Sequence, residues 1–344
     1  MINSTIDIVS YTREELKALF QEIGEPAYRA NQLFSWIHQK RVTSFDEMTN
    51  LPEKTRAWLR ENAVFVRPSV LRKQVSRDGT EKYLLGFPDG NAVETVAMEY
   101  EHGTSLCIST QVGCRMGCAF CASTVNGLVR SLTASEMLME VYESERQKGK
   151  KIDSVVLMGI GEPLDNLDAV VRFYDMITDE NGYGMKNRSV TVSTCGIAPK
   201  IYELADMKKQ LTLSLSLHSA FSPKRSKIMP VNLRYPLPEV LEACKYYVNK
   251  TGRRITFEYT VIHGTNDLDE DVNELVRICG MMQSHVNVIP VNSAGRGNFA
   301  ATRKDAETFA SKLNAKGVNA TVRRTLGDDI SAACGQLRRE TQNL

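Results

Sequence analysis

The sequence predicts an α/β protein on a parallel sheet, either open and doubly wound or closed into a partial barrel, behind a small helical unit. Three observations carry this. Residues 1–65 place apolar side chains at helical spacing. Between about 66 and 100 the period changes to two, with Asp78-Gly79 and Asp89-Gly90 as turns joining three short strands. From about 104 onward six β-rich runs alternate with amphipathic helical ones, the order that builds a parallel sheet.

Each element has a local reason. Thr12 and Glu15 form a capping-box pattern before Leu16, Leu19, Phe20 and Ile23, and Gly24 closes that helix. Pro26 opens a second helix with Leu33, Trp36 and Ile37 on one face. A third follows Pro52, with Trp58 and Leu59 expected inward. The six later strands are "SLCIST", "DSVVLMG", "SVTVST", "LTLSLSL", "ITFEYTV" and "VNVIPVN". Helical segments near 133–148, 165–177, 198–208, 236–250 and 268–283 lie between them, the first capped by Thr133 and Glu136. In either parallel architecture function collects on loops at the C-terminal strand ends.

Composition narrows the class. The 344 residues, 42% hydrophobic and 24% charged, suit a globular chain larger than one typical domain. The start, "MINSTIDIVSYTREEL", lacks the basic and apolar blocks of a signal peptide. No apolar run approaches the roughly 20 residues that span a bilayer. A cytoplasmic protein without a membrane partner is expected, and there clustered cysteines suggest metal or redox chemistry. A net charge of +2 says little. Nucleic-acid contact would have to use local basic runs: "KGKK" (148–151), "KRSK" (224–227), Arg253-Arg254 and Arg323-Arg324, each more often a solvated face.

The stretch "ISTQVGCRMGCAFCAST" (108–124) holds Cys114, Cys118 and Cys121 of the chain's eight cysteines, just after the first parallel strand. Two sites fit this Cys-x3-Cys-x2-Cys spacing. With Cys107 as a fourth thiolate it is a closed tetrahedral zinc site. With three thiolates it holds an iron–sulfur cluster with one iron left open. Gly113 and Gly117 let the backbone wrap closely, and Phe120 would shield a cluster from water. Later strand ends offer Gly161 and Glu162 in "MGIGEPLDN", Ser193 and Thr194 in "VSTCG", Ser216-Leu217-His218, and Asn292 in "PVN". His218 alone would more often be a packed core histidine. Taken together, small polar groups at successive strand ends favour a polar cofactor beside a cluster, because a structural zinc needs none of them.

"CRMGCAFC" resembles the signature of radical S-adenosylmethionine (SAM) enzymes. With "LCISTQVGCRMGCAFCAST", "MGIGEPLDN", "SLSLHSA" and "GDDISAACGQLR", nearly the whole chain is similar to the RlmN/Cfr family of RNA adenine methyltransferases. The resemblance implies a partial (β/α)6 barrel as the radical SAM core at 104–334. An N-terminal helical RNA-binding domain at 1–65, a β-hairpin linker region at 66–103 and a tail at 335–344 complete the expected organisation. It also implies that Cys114, Cys118 and Cys121 bind a 4Fe-4S cluster whose fourth iron chelates SAM. Gly161, Glu162, Ser193, Ser216, Leu217, His218 and Asn292 match SAM-binding positions.

By the same resemblance Cys334 is a methyl carrier, and Cys107 attacks Cys334 to release product as a transient disulfide. Glu94 matches the proton acceptor, with Glu99 and Glu101 nearby, and either Glu94 or Cys107 removes the ring proton. Cys195, Cys244 and Cys279, in strand-end or helical contexts, read as structural. Two SAM molecules are consumed per methylation. The implied substrates are 23S rRNA, at C2 of an adenine near the peptidyl transferase centre, and tRNA, at an adenine of the anticodon loop. C8 methylation of the same rRNA adenine is the Cfr alternative, and the shared cysteines do not separate the two. A non-enzymatic zinc-dependent RNA-binding protein is the alternative from another class. Arg29, Lys40 and Arg41 are the expected RNA-reading surface of the helical unit. A monomer served by a one-electron donor such as flavodoxin or ferredoxin completes the expectations.

Overall fold

The computed structural model describes residues 6–291, 301–324, 326, 327, 329 and 330. The N-terminal unit comprises β1 (Ile6–Asp7), α1 (Arg13–Glu22), α2 (Ala27–Phe34), α3 (Glu53–Asn62) and β2 (Ala63–Val64), with β1 and β2 paired in parallel. The anticipated capping box opens α1. Thr12 Oγ1 accepts from the Glu15 N–H at 3.3 Å, and Glu15 Oε2 accepts from the Thr12 N–H at 2.8 Å. Beyond Pro26, α2 runs on into a π-helical turn, Ser35–Gln39, that carries Trp36 and Ile37. Leu33, Ile37 and Leu59 are fully buried, whereas Trp36 and Trp58, expected inward, are half-buried. An indole is amphipathic and settles at the rim of a core. Buried His38 meets the Tyr142 hydroxyl through Nδ1 at 2.9 Å and docks this unit on the rest of the chain.

Next come β3 (Ser69–Val75), β4 (Glu81–Gly86), β5 (Ala92–Tyr100) and β6 (Gly103–Cys107), joined antiparallel in sequence. The stretch anticipated as a linker therefore extends the main sheet, with Val96 opposite Cys107 across β5 and β6. Hydrogen bonding to β6 gives these strands the partner that an isolated hairpin lacks.

A short antiparallel pair, β7 (Gln111–Gly113) and β8 (Leu128–Ser131), precedes the repeats. They run α4 (Ala134–Lys148), β9 (Ser154–Leu157), α5 (Leu167–Thr178), β10 (Val190–Thr194), α6 (Ala198–Asp206) and β11 (Thr212–Ser216). Then follow α7 (Ser222–Ile228), α8 (Val231–Arg234), α9 (Leu237–Thr251), β12 (Ile255–Val261), α10 (Asp269–Cys279), β13 (Ser284–Pro290), α11 (Arg303–Ala315) and β14 (Ala320–Val322). The ten-stranded sheet has the order β14-β13-β12-β11-β10-β9-β6-β5-β4-β3. From β6 to β14 the order never reverses, so right-handed crossovers lay every helix on one face. That is a partial barrel, not a doubly wound sheet. The six strands lie where the sequence suggests, and α11 with three-residue β14 adds a seventh repeat. A strand that short carries no periodic signal.

Register fixes the faces. Val156 opposes both Cys107 and Thr191, Ser193 opposes Ser214, and Ser216 opposes Glu258. One face therefore carries Cys107, Thr191, Ser193, Ser214, Ser216, Glu258 and Thr260. The other carries Val190, Val192, Leu213, Leu215, Ile255 and Phe257, all fully buried. A parallel strand packed on both faces would read as continuously apolar. Here alternate positions are polar because the inner face lines a cavity.

Candidate functional site

β7 and β8 pin together the ends of the cysteine loop. The Cys114 N–H donates to Gly127 O at 2.9 Å. Gly113 adopts φ 82°, and a Cβ there would stand 2.0 Å from Gly127 O, so a side chain cannot be accommodated. Farther along, the Ala119 N–H donates to Ile228 O at 2.9 Å and ties the loop to the end of α7. Cys114, Cys118 and Cys121 thereby face a cavity of about 310 Å³ at the C-terminal ends of β9 to β13.

Among the described residues no three His, Cys, Asp or Glu side chains converge as a single metal ion requires. Cys107, the fourth thiolate of the zinc alternative, is held in β6 and does not line the cavity. Three thiols around one opening fit a larger cluster instead. Burial pushes the Cys114 thiol up to about 12, with the Glu162 and Cys121 charges adding. Burial acts on Cys118 in the same direction. Coordination to iron would supply the missing positive charge and remove those protons.

The turn after β9 stands against the same wall. Gly161 has φ 112°, and a Cβ on it would meet the Gln111 nitrogen at 2.8 Å. Gln111 Oε1 accepts the Glu162 N–H at 2.9 Å, locking this turn to the start of the cysteine loop. Glu162 is buried; Oε1 accepts the Leu164 N–H at 3.0 Å and Oε2 the Cys195 N–H at 2.8 Å. Burial raises its carboxyl above the usual range, and the Cys195 N–H opposes the rise. A cationic group in the cavity would favour the carboxylate strongly.

On the neighbouring strand ends Ser193 Oγ lies 3.4 Å from Ser216 Oγ. His218 is buried yet also lines the cavity, so it is a core histidine and a wall residue at once. Its backbone takes φ 54°, an uncommon conformation for a side-chain-bearing residue, held by Asn266 Nδ2 donating to His218 O at 2.7 Å. Nδ1 accepts the Thr260 N–H at 3.0 Å. Burial lowers the ring to about 3, so it is neutral, and with Nδ1 accepting, Nε2 carries the proton. Phe120 packs edge-on against it, centroids 4.9 Å apart.

The sequence reading missed Gln111, Cys195 and Glu258 at this site. Cys195, taken as structural, lines the cavity, and so does Glu258, whose Oε2 accepts from Asn287 Nδ2 at 2.8 Å. The signal for Glu258 was a carboxylate at an inward position of "ITFEYTV", legible only once the inner face is known to be polar.

Other expected residues lie elsewhere. The Leu217 side chain is fully buried and does not line the cavity. Glu94 and Cys107 share the inner face of the sheet, on β5 and β6, but neither borders the cavity. Asn292 and Cys334 lie outside the described residues. Arg29 pairs with Glu25, Arg41 Nη2 stands 2.9 Å from Glu145 Oε1, and Lys40 Nζ sits 3.3 Å over the Trp36 ring. Lys40 and Arg41 border a second concavity of about 350 Å³ with Arg67, Lys150 and Lys151, so part of the "KGKK" run joins the helical unit there. Within "KRSK" only Lys227 is exposed: Lys224 pairs with Glu270 and Asp271, and Arg225 is fully buried.

Residues 6–65 match the family model described as ribosomal RNA large subunit methyltransferase N-terminal domain, and residues 108–278 match the radical SAM superfamily. The chain is 50% identical over 335 residues to a Clostridium perfringens (strain 13 / Type A) protein named probable dual-specificity RNA methyltransferase RlmN, covering 97% of this chain and 96% of that one. A Clostridium novyi (strain NT) protein of the same name is 47% identical, with 97% and 98% covered. Among solved structures, a radical SAM methyltransferase from Sphaerobacter thermophilus superimposes with a TM-score of 0.91 at 40% identity, covering 96% of this chain and 98% of that one.

Proposed function

This chain belongs to the RlmN family of radical SAM RNA methyltransferases, and from that premise we propose that it methylates C2 of one adenine in 23S rRNA and of one adenine in the tRNA anticodon loop. One observation carries the reading. Cys114, Cys118, Cys121, Gly161, Glu162, Ser193, Ser216 and His218 all border a single cavity at the C-terminal strand ends. The relatives are named RlmN, the branch to which the resemblance assigns C2 methylation.

Cys114, Cys118 and Cys121 would hold a 4Fe-4S cluster. Together with SAM, such a cluster supplies one-electron reductive cleavage of the sulfonium, which generates the hydrogen-abstracting radical. The chain's own part is binding, orientation and exclusion of water. Glu162, buried and already accepting two backbone N–H groups, receives an ammonium. Neutral His218 offers Nε2–H as a donor, and the serine pair offers hydroxyls across the strand ends. Cys334 would take its methyl group from one SAM as a thioether and a second SAM would be cleaved to the radical, so two are consumed per methylation. Cys107 would then attack the Cys334 sulfur, the S–S bond forming as the sulfur–carbon bond breaks and the released carbon keeps the electron pair and gains a proton. Glu94 or Cys107, which share the inner sheet face, takes the ring proton.

RNA is the partner, with a target adenine that must leave its stack to reach a buried cavity. The cations bordering the second concavity support an RNA-contacting face on the helical unit. A flavodoxin or ferredoxin supplies electrons. The test is mass spectrometry of 23S rRNA and tRNA from a deletion strain, separating 2-methyladenine from 8-methyladenine. Loss of the C2 product from both RNAs is expected; unchanged modification of both would reject the assignment.

A further inference from the structure

The basic run "KRSK" hides an arginine that has no business on a surface. Arg225, on α7, is fully buried. Its donors are all directed at neutral acceptors: Nε to Leu217 O at 3.0 Å, Nη1 to Asn232 Oδ1 at 3.0 Å, and Nη2 to Cys195 O at 2.6 Å and Ser216 O at 3.0 Å. Three of these acceptors are carbonyls at the ends of β10 and β11, where the ladder stops and backbone oxygens need partners. Among the described residues no carboxylate pairs with the guanidinium. Burying a cation without a paired anion is strongly destabilising. Such a cost persists in a fold when something else supplies the anion.

The surroundings point to where that anion stands. The Cys195 and Ser216 carbonyls that Nη2 holds belong to residues lining the same cavity that Cys114, Cys118 and Cys121 face. The last turn of the same helix accepts the Ala119 N–H through Ile228 O at 2.9 Å, one residue beyond Cys118. α7 therefore carries its buried charge beneath the cysteine loop and against the strand-end turns that face the cavity.

We propose that Arg225 is the built-in countercharge of the metal centre: it clamps the β10 and β11 carbonyls that frame the cavity and raises the reduction potential of a cluster held by Cys114, Cys118 and Cys121. The effect is electrostatic. Three thiolates make the cluster site anionic, and reduction adds one more electron to a water-poor environment. A fixed positive charge nearby stabilises the reduced form more than the oxidised one. This rests on the cluster-ligation reading above, and it assigns to Arg225 a positioning and tuning role, without contact to substrate.

The experiment compares wild type, Arg225→Lys and Arg225→Gln as anaerobically reconstituted full-length proteins, without RNA. Iron content, the midpoint potential by spectroscopic redox titration, and thermal stability are read in each. Arg225→Lys retains the charge but cannot reach four acceptors, so it should lower stability while keeping the potential near wild type. Arg225→Gln should also lose the charge. At a fixed solution potential its reduced-to-oxidised ratio should fall about tenfold, equivalent to 59 mV for one electron. Loss of the cluster in the Gln chain alone likewise supports the countercharge. An unchanged potential in a Gln chain with a full cluster would overturn the proposal. So would equal shifts in both variants, or cluster loss in both, because shape and not charge would then be what matters. A wild-type chain that binds no iron would be a failure of the ligation reading and not of this one.

Discussion

Lys82 Nζ stands 2.9 Å from Glu94 Oε2, and both side chains are buried, on adjacent antiparallel strands β4 and β5. An ammonium and a carboxylate taken out of water together hold each other in place. This matters for function because Glu94 is one of two proposed proton acceptors and occupies the same sheet face as Cys107, the other. Lys82→Met leaves a buried carboxylate without this partner and should destabilise the chain by about 3 kcal/mol. The double variant Lys82→Met/Glu94→Leu should recover a large part of that loss. Chemical denaturation of the three variants measures the coupling; purely additive losses would show that the pair is not a stabilising unit.

Changing any one of Cys114, Cys118 or Cys121 to Ala should abolish the cluster. Anaerobically purified wild type should be brown with about four irons per chain, and each variant colourless. The far-ultraviolet circular dichroism should be retained, because the helical unit and the outer face of the sheet have their own apolar core. A variant that kept full iron and normal turnover would remove that cysteine from the ligand set.

The two non-cluster cysteines should separate cleanly. Cys334→Ala removes the methyl carrier, so no covalent adduct with RNA can form. Cys107→Ala leaves the carrier and removes the thiol needed for release, so RNA should accumulate covalently on Cys334. Blocking the exit from a covalent intermediate makes it accumulate, while blocking its entry abolishes it. Denaturing gels of protein made in cells should show a slow, nuclease-sensitive band for Cys107→Ala and none for the double variant. Identical behaviour of the two single variants would refute both roles.

Gly161→Ala tests the close approach of the β9 turn to the cysteine loop. The added Cβ would meet the Gln111 backbone nitrogen at 2.8 Å, at a φ of 112° that side-chain-bearing residues rarely adopt. Displacing the turn moves Glu162. Affinity of the reconstituted enzyme for SAM should fall about tenfold or more, from local strain of about 1–3 kcal/mol. Equilibrium binding measures it, and wild-type affinity would contradict the role given to this turn.

The pH dependence of stability should carry a contribution from Glu140. It is fully buried on α4, accepts from Thr95 Oγ1 at 2.7 Å and from the Ser109 N–H at 3.0 Å, and burial raises it well above 4.5. A raised carboxyl keeps its proton in the folded chain at a pH where the unfolded chain has lost it. The folded state then binds more protons, so this contribution to stability is complete below 4.5 and declines as pH rises toward the elevated value. Glu140→Gln, uncharged throughout, should flatten that decline. Denaturation midpoints across the pH range would show it, and a wild-type slope in the Gln variant would exclude Glu140 as its source.

The sequence by itself determined what depends on near neighbours. The capping boxes at Thr12/Glu15 and Thr133/Glu136 are formed as read, since three residues and one turn decide them. The six β-rich runs and the cysteine spacing were legible for the same reason. Tertiary structure decided what depends on residues distant in the chain. A parallel sheet is equally compatible with reversal or continuation of strand order, and only the observed order made it a partial barrel. The 66–103 stretch became part of the sheet through pairing with β6. Arg225 and Lys224 share one short basic run, yet one is fully buried and the other reaches two carboxylates 46 and 47 residues away. Charge pattern alone cannot distinguish these fates, because burial of a cation depends on acceptors that folding brings to it. Lys82 and Glu94 likewise met only through the β4–β5 register.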